Sequence, residues 1–354
     1  MIARAECERL FRAAVAACDP ARLVARAMPR TDRAVLAIAV GKAALAMARG
    51  AGEVSRGIAI APALDGKPLP LGWRARDSAH PEPDARSVAA ADAVIDVVRA
   101  AGDDDLVVAL ISGGASALIE KPRDGVTLEA LRDEIREVMA SGASIYEINA
   151  RREELSALKG GKLARMCAAP IVTLAISDVV GDDIAVIGSG PTIAPERPGD
   201  RAEVIAKLSA FADAIALPRA LDHAMTGEVV VVAEVLAGAT GVAWGEPTLR
   251  VPADHGEGGR AQQLALELAK RIRGSERAAF VAGSDGQDGP RPRGRPAPAG
   301  AYVDGATWDA IVAAGVDPQR ALARCDAGTA LHAVGALFVT GPTGVNHADV
   351  AIVG

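Results

Sequence analysis

Five turns in this chain gather the residue types that hold anions and hard cations. They are VGKAA around Lys42; ISGGASAL, with Ser112, Gly113, Gly114 and Ser116; ISDVVGDD with GSGPT, from Asp178 through Gly188, Ser189 and Gly190; HGEGGRAQQ around Arg260; and GSDGQDG, with Asp285 and Gly286. Glycine supplies backbone angles that other residues avoid, and amides exposed at such turns suit a phosphate or carboxylate. Lys42 and Arg260 add cations, while Asp178, Asp182, Asp183, Asp285 and Asp288 add hard oxygen donors. That inventory matches phosphoryl transfer, in which a protein mainly positions reactants and neutralises charge with Mg²⁺, lysine and arginine.

Each turn also has a plainer explanation when taken alone. A lysine after a strand is usually a solvated charge, Asp182 and Asp183 could cap a helix, and Asp285 and Asp288 could be turn residues beside glycine. Arg260 stands apart, because a cation in the first turn of a helix is disfavoured unless an anion lies beside it. The number of such turns argues that they converge on one cleft. Asp178, Asp182 and Asp288 are the expected metal ligands, with Mg²⁺ held chiefly by nucleotide phosphates.

Rival chemistries find little support. His80 lies in the turn HPEPD, and His223, His255, His332 and His347 show neither zinc-protease nor serine-triad spacing. A Walker A loop and a dinucleotide fingerprint after a strand are both absent; GSGPTI comes nearest, and Pro191 with Thr192 breaks it. Cys7, Cys18, Cys167 and Cys325 form no C-x-x-C pair and read as reduced cysteines of a cytoplasmic protein.

The elements that must position these turns follow from composition and pattern. At 354 residues the chain exceeds the roughly 250–300 at which single cores stop growing, so two lobes are expected. A net charge of −6 and an aromatic content of 3% argue against nucleic acid and anionic membrane as partners. No apolar run reaches the roughly 18 residues of a membrane span. Continuous apolar runs (AVLAIAV, GIAIAP, DLVVALIS, PIVTLAIS) alternate with amphipathic helical ones, which predicts a parallel sheet covered on both faces, with ligands beyond the carboxyl ends of its strands. The N-terminal segment carries a helical stripe of Leu10, Phe11, Ala14, Val15 and Cys18. After Gly227 the texture changes to a smaller α/β lobe, and Pro290 to Pro298 reads as an exposed basic loop. The expected division is residues 1–226 and 227–354.

The ordered motifs VGKAALAMA, HPEPD, ISGGASAL, LSALKGGKLA, ISDVVGDD, GSGPT, GEPT, GEGGRAQQLAL, GSDGQDGP and TGPTG resemble the glycerate 2-kinase family, whose C-terminal part is called the MOFRL domain. The resemblance covers almost the entire chain. It implies a doubly wound, Rossmann-like N-terminal lobe, a smaller C-terminal α/β domain, and an active site in the cleft between them. It also implies ATP and Mg²⁺, glycerate or a related hydroxy acid as substrate, and Lys42 and Arg260 at the family's catalytic positions. A homodimer is one assembly compatible with it. Some members were once labelled hydroxypyruvate reductase, the oxidoreductase alternative.

Four departures bear on activity. Glu153 and Glu154 follow Arg152 where the family has a basic residue and a histidine, which would weaken anion binding there. The segment from Gly227 to Gly245 is short, DGPRPRGRPAPAGA replaces DGPTDAAGA, and Ala348 stands in NHADV where an asparagine is common. These changes keep a second alternative open, a diverged relative that binds a phosphorylated or hydroxy-acid metabolite.

Overall fold

The computed structural model describes residues 1–290 and 294–354. Arg291, Pro292 and Arg293, at the centre of the expected basic loop, lie outside the described residues. The chain forms two compact units: Asp19–Leu208, and Met1–Cys18 together with Ser209–Gly354. In this grouping the first helix joins the unit that contains Ser209–Gly354. Among the described residues no helix is long and apolar enough to cross a membrane.

The unit Asp19–Leu208 is built on strands β1 (Val35–Val40), β2 (Arg56–Ala61), β3 (Trp73–Asp77), β4 (Leu106–Ile111), β5 (Ile171–Ile176) and β6 (Arg201–Ala206). Their order is β3-β2-β1-β4-β5-β6, with every neighbouring pair parallel. Alternate residues of β1 explain the double winding. Leu36, Ile38 and Val40 share a core with the helix Ala85–Arg99. Ala37 and Ala39 point the other way and are equally buried, on the side packed by the helix Ala44–Ala51. The edge strands β3 and β6 expose Arg74, Arg76, Arg201 and Glu203, charges that discourage pairing with another chain.

Register decides where the turns emerge. Val40 of β1 is level with Ile111 of β4, and Ile111 with Ala175 of β5. The loops beginning at Gly41, Ser112 and Ser177 therefore leave the sheet side by side. They do so where the strand order reverses, between β1 and β4, the crevice at which sheets of this kind bind ligands.

The other unit contains β7 (Gly241–Gly245), β8 (Ala278–Gly283), β9 (Gly300–Asp304), β10 (Leu337–Phe338) and β11 (Asp349–Val353). They pair antiparallel in the order β10-β9-β8-β11-β7. One face packs on the helix Arg260–Arg271 through Ala261, Leu264, Ala265 and Leu268. The valine-rich run Val229–Ala237 is helical, because Val229, Val232, Ala233 and Leu236 recur at helical spacing and bury one face, which outweighs the small helix penalty of valine. The opposite sheet face is covered by the first helix, Arg4–Ala17, whose Cys7, Leu10, Phe11 and Ala14 are buried. All four phenylalanines of the chain meet there. Phe11 stands edge-on to Phe211, Phe280 and Phe338, and Phe280 to Phe338, with ring centroids 5.0–5.9 Å apart.

Candidate functional site

The loops after β1 and β4 are fastened to each other through their backbones. The Lys42 N–H donates to Gly113 O at 2.8 Å, and the Ala43 N–H to Ser112 Oγ at 3.1 Å. Gly41 has φ +134°, and a Cβ there would run into Ser112 Oγ and lie 2.6 Å from Ser112 O. Gly113 is pressed by the Asp178 carboxyl group, whose Cγ would lie 2.8 Å from an added Cβ. Gly114, at φ +86°, leaves room for the His80 ring and for Lys42 Cγ, 2.9 and 3.5 Å from the same hypothetical atom. Lys42, Gly113, Gly114, Asp178 and His80 thus adjoin one another at the strand ends. Burial, reinforced by the Lys42 charge, holds His80 below the usual histidine range and favours its neutral ring.

A chain of side-chain hydrogen bonds borders this cluster. Ser189 donates to Asn149 Oδ1 at 2.9 Å, so its hydroxyl proton is committed and the 2.9 Å contact with Ser116 makes Ser116 the donor. Asn149 Oδ1 also accepts from Arg152 Nη1 at 3.2 Å, and Asn149 Nδ2 donates to Val186 O at 3.1 Å. Gly188 and Gly190, with φ +61° and +55°, let the GSGPT turn close in: side chains at these positions would lie 3.0 Å from Ala115 Cβ and 2.5 Å from Ala185 O. His80, Gly114, Ser116, Asn149, Arg152 and Asp178 are among the residues lining a cavity of about 410 Å³. Glu153 and Glu154, expected to weaken anion binding, are not. Glu153 packs against Gly160, and Glu154 is exposed and pairs with Arg151.

Lys159, in the LSALKGGKLA motif, is a site neighbour that residue type alone does not reveal. It is fully buried and donates to Ser116 O at 3.0 Å and Ile119 O at 2.7 Å, which fixes the short helix Ala115–Leu118. Burial pulls its ammonium group down to about 8, with the Glu120 charge opposing and the Arg152 charge adding to the shift.

In the C-terminal unit the charged groups collect at the ends of β7, β8 and β11. Arg260 opens its helix and donates through Nε to Asp349 Oδ2 at 3.2 Å and through Nη1 to Glu246 Oε2 at 3.3 Å. Burial acts against the guanidinium, and the two carboxylates more than compensate, raising it above the usual arginine range. Burial pushes the Asp349 carboxyl up to about 7; Arg260 opposes this, while Asp288 and Glu246 add to it. Asp349, with Asn346, is kept in the motif NHADV, and Glu246 lies in GEPT, but neither was expected to meet Arg260. The signal was available in NHADV and GEPT, but nothing local links either motif to Arg260.

The aspartates expected to bind metal have separate positions. Buried Asp288 accepts the Ala261 and Gln262 N–H groups at 3.0 and 2.8 Å, and Gln262 Nε2 at 2.9 Å. It is an internal cap of the Arg260 helix. Asp182 Oδ1 accepts the Leu208 N–H at 2.7 Å and ties down its own loop. Asp285 accepts the Gln287 N–H at 2.9 Å, and its carbonyl accepts the Thr343 N–H at 3.0 Å. Gly286 uses φ +82° to pass Gly341 O. Among the described residues no cluster of three or more His, Cys, Asp or Glu is disposed to hold an ion.

Comparison with known proteins agrees with this architecture. Residues 6–225 match a family model described as a domain of unknown function, DUF4147, and residues 239–349 match the MOFRL family. An Agrobacterium vitis protein provisionally named a hydroxypyruvate reductase is 34% identical, covering 98% of this chain and 93% of its own. A glycerate 2-kinase of Pyrococcus horikoshii is 31% identical, covering 97% and 95%. The crystal structure of glycerate kinase from Thermotoga maritima superposes with a TM-score of 0.89 at 28% identity, covering 98% of each chain. The chain belongs to the glycerate 2-kinase family.

Proposed function

We propose that this protein transfers the γ-phosphoryl group of ATP to the 2-hydroxyl of D-glycerate, giving 2-phosphoglycerate and ADP. The observation that carries the reading is the adjacency of Lys42, Gly113, Gly114 and Asp178 at the level ends of β1, β4 and β5. Glycerate kinases among the relatives supply the acceptor and the reaction type. Lys42 and the amides of Ser112 to Gly114 neutralise and orient phosphate oxygens, and Arg260 is the second proposed catalytic cation. The buried carboxyl group of Asp349 fixes the Arg260 guanidinium in advance, so that its charge need not be arranged during transfer.

The donor set fits Mg²⁺ carried mainly by nucleotide phosphates, with Asp178 as the protein carboxylate, because Mg²⁺ keeps several waters and rarely takes a full protein cage. Such an ion would offset charge on the phosphates. Four free, buried cysteines support a reducing, cytoplasmic setting.

A coupled assay of ADP release with D-glycerate, L-glycerate and hydroxypyruvate, run beside NADH and NADPH oxidation with hydroxypyruvate, decides the matter. D-glycerate-dependent ADP release with 2-phosphoglycerate as product is the expected result. Cofactor oxidation without ADP release would establish the reductase, and neither activity would favour the diverged relative.

A further inference from the structure

Arg152 belongs to the helix Ile145–Leu155 and lies on the walls of two adjoining cavities, the one of about 410 Å³ that holds the strand-end loops and another of about 450 Å³. Its guanidinium is half-buried, and one hydrogen bond, from Nη1 to Asn149 Oδ1, fixes it. Asn149 is itself locked by Ser189 and Val186, so the guanidinium has a rigid mount. The remaining N–H donors meet no carboxylate among the described residues. Glu120, the nearest acidic influence, directs Oε1 to Ser156 Oγ at 2.5 Å and to the Lys121 N–H at 3.0 Å.

The local balance of charge favours an anion. Buried Lys159 feels both Arg152 and Glu120, and Arg152 feels Glu120, so two cations share one carboxylate here. Asp178, on the same cavity wall, is adjacent to Lys42 through the Gly113–Gly114 turn. Burial depresses Arg152 below the usual arginine range, a cost that a bound anion would relieve. A planar guanidinium with free parallel donors matches a carboxylate with two oxygens better than it matches a hydroxyl or an aldehyde.

From this geometry we propose that Arg152 anchors the acceptor, its guanidinium binding the carboxylate of a small 2-hydroxy acid within the 410 Å³ cavity. The assignment rests on the proposed function for the identity of the acid, and it deepens that reading by naming what excludes neutral substrates. A site built to pair a charge rejects analogues that lack it, because its own group is then left desolvated and unmatched. Glycerol and glyceraldehyde, which have the hydroxyls without the carboxylate, are therefore poor acceptors.

Titration calorimetry of the full chain with D-glycerate and, separately, with ATP-Mg²⁺ tests the anchor without relying on turnover. Arg152→Gln is expected to weaken D-glycerate binding by about 100-fold and to change ATP binding by less than about 3-fold. Arg152→Lys, which keeps the charge and loses the fork, should fall between; it also carries the test if the Gln variant folds poorly. The preference for D-glycerate over glycerol as acceptor should shrink in the same order. Unchanged D-glycerate affinity in both variants would overturn the anchor. Loss of ATP affinity with D-glycerate binding intact would overturn it too, by giving the residue to a nucleotide phosphate. If the unsubstituted chain bound ATP but no D-glycerate, the proposed function would fail first and this assignment with it.

Discussion

Arg260 Nε and Asp349 Oδ2 meet at 3.2 Å across 89 residues of sequence, joining the first residue of a helix to the first residue of β11. A cation at a helix start calls for an anion, and the chain supplies its own. Asp349 holds the side chain, while Asp288 caps the backbone N–H groups of the same helix turn. The helix start is therefore occupied from within, which leaves the guanidinium as the part of this turn suited to a ligand.

The Asp349 carboxyl makes stability fall as pH rises through one window. Its proton is retained to about 7 in the folded chain and lost near 3.8 in the unfolded one, so the folded state binds more protons between those values. The associated stabilisation is complete below about 4 and gone above about 7. Urea unfolding at a series of pH values should show Asp349→Asn lacking this contribution. Parallel wild-type and variant curves across the window would refute the coupling.

Removing either proposed catalytic cation should impair the chemical step more than nucleotide binding. Lys42→Ala and Arg260→Ala are each expected to lower kcat by on the order of 10³-fold, with a far smaller change in KM for ATP. Steady-state kinetics with D-glycerate measures both parameters. Near wild-type kcat in the two variants would rule out the assignment.

Gly41→Ala should be costly although it adds one methyl group. The new Cβ would enter the Ser112 side chain and crowd its carbonyl, at a backbone angle that L-residues avoid. Strain and overpacking together give about 2–4 kcal/mol of destabilisation. Gly52→Ala is the control: it also has positive φ but nothing within 4 Å of the added atom. Equal losses at the two positions would mean that backbone angle alone, without the Ser112 contact, sets the cost.

Lys159 titrates in the opposite sense from Asp349. Its folded value of about 8 lies below the ordinary 10.5, so the unfolded chain binds the extra proton between them and stability rises with pH across that range. Lys159→Met should flatten the rise. It should also lower kcat, because Ser116 O and Ile119 O lose their shared donor. Thermal denaturation between pH 8 and 10.5 provides the first check and kinetics the second.

Turnover should require added Mg²⁺, disappear in excess chelator and return when Mg²⁺ is restored, with little change in the melting temperature of the nucleotide-free chain. A chelator that lowered that melting temperature strongly would point to a structural ion instead.

What could be read from sequence depended on whether its cause was local. Strands β1, β2, β4 and β5 were legible because burial on both faces gives uninterrupted apolar runs. Strands β3 and β6 lie at the edges, where exposed arginines and glutamate erase that signal. The stripe of the first helix showed that it packs, without showing that its partners are Phe280 and Phe338. The glycine turns were visible as turns. The ties that give them meaning, Gly113 to Asp178 and Arg260 to Asp349, depend on strand register that no short motif encodes. Arg152 was noticed through the glutamates after it, yet those glutamates turn away and the arginine lines the cavity.

The first helix covers a sheet whose strands, β7 to β11, all follow Asp19–Leu208 in sequence. During synthesis Phe11 emerges early, while its partners Phe280 and Phe338 follow only after all of Asp19–Leu208 has been made. The intervening unit can mature while the opening segment waits with its apolar stripe uncovered. Until Phe280 and Phe338 are made, that uncovered stripe is the kind of apolar surface a chaperone holds.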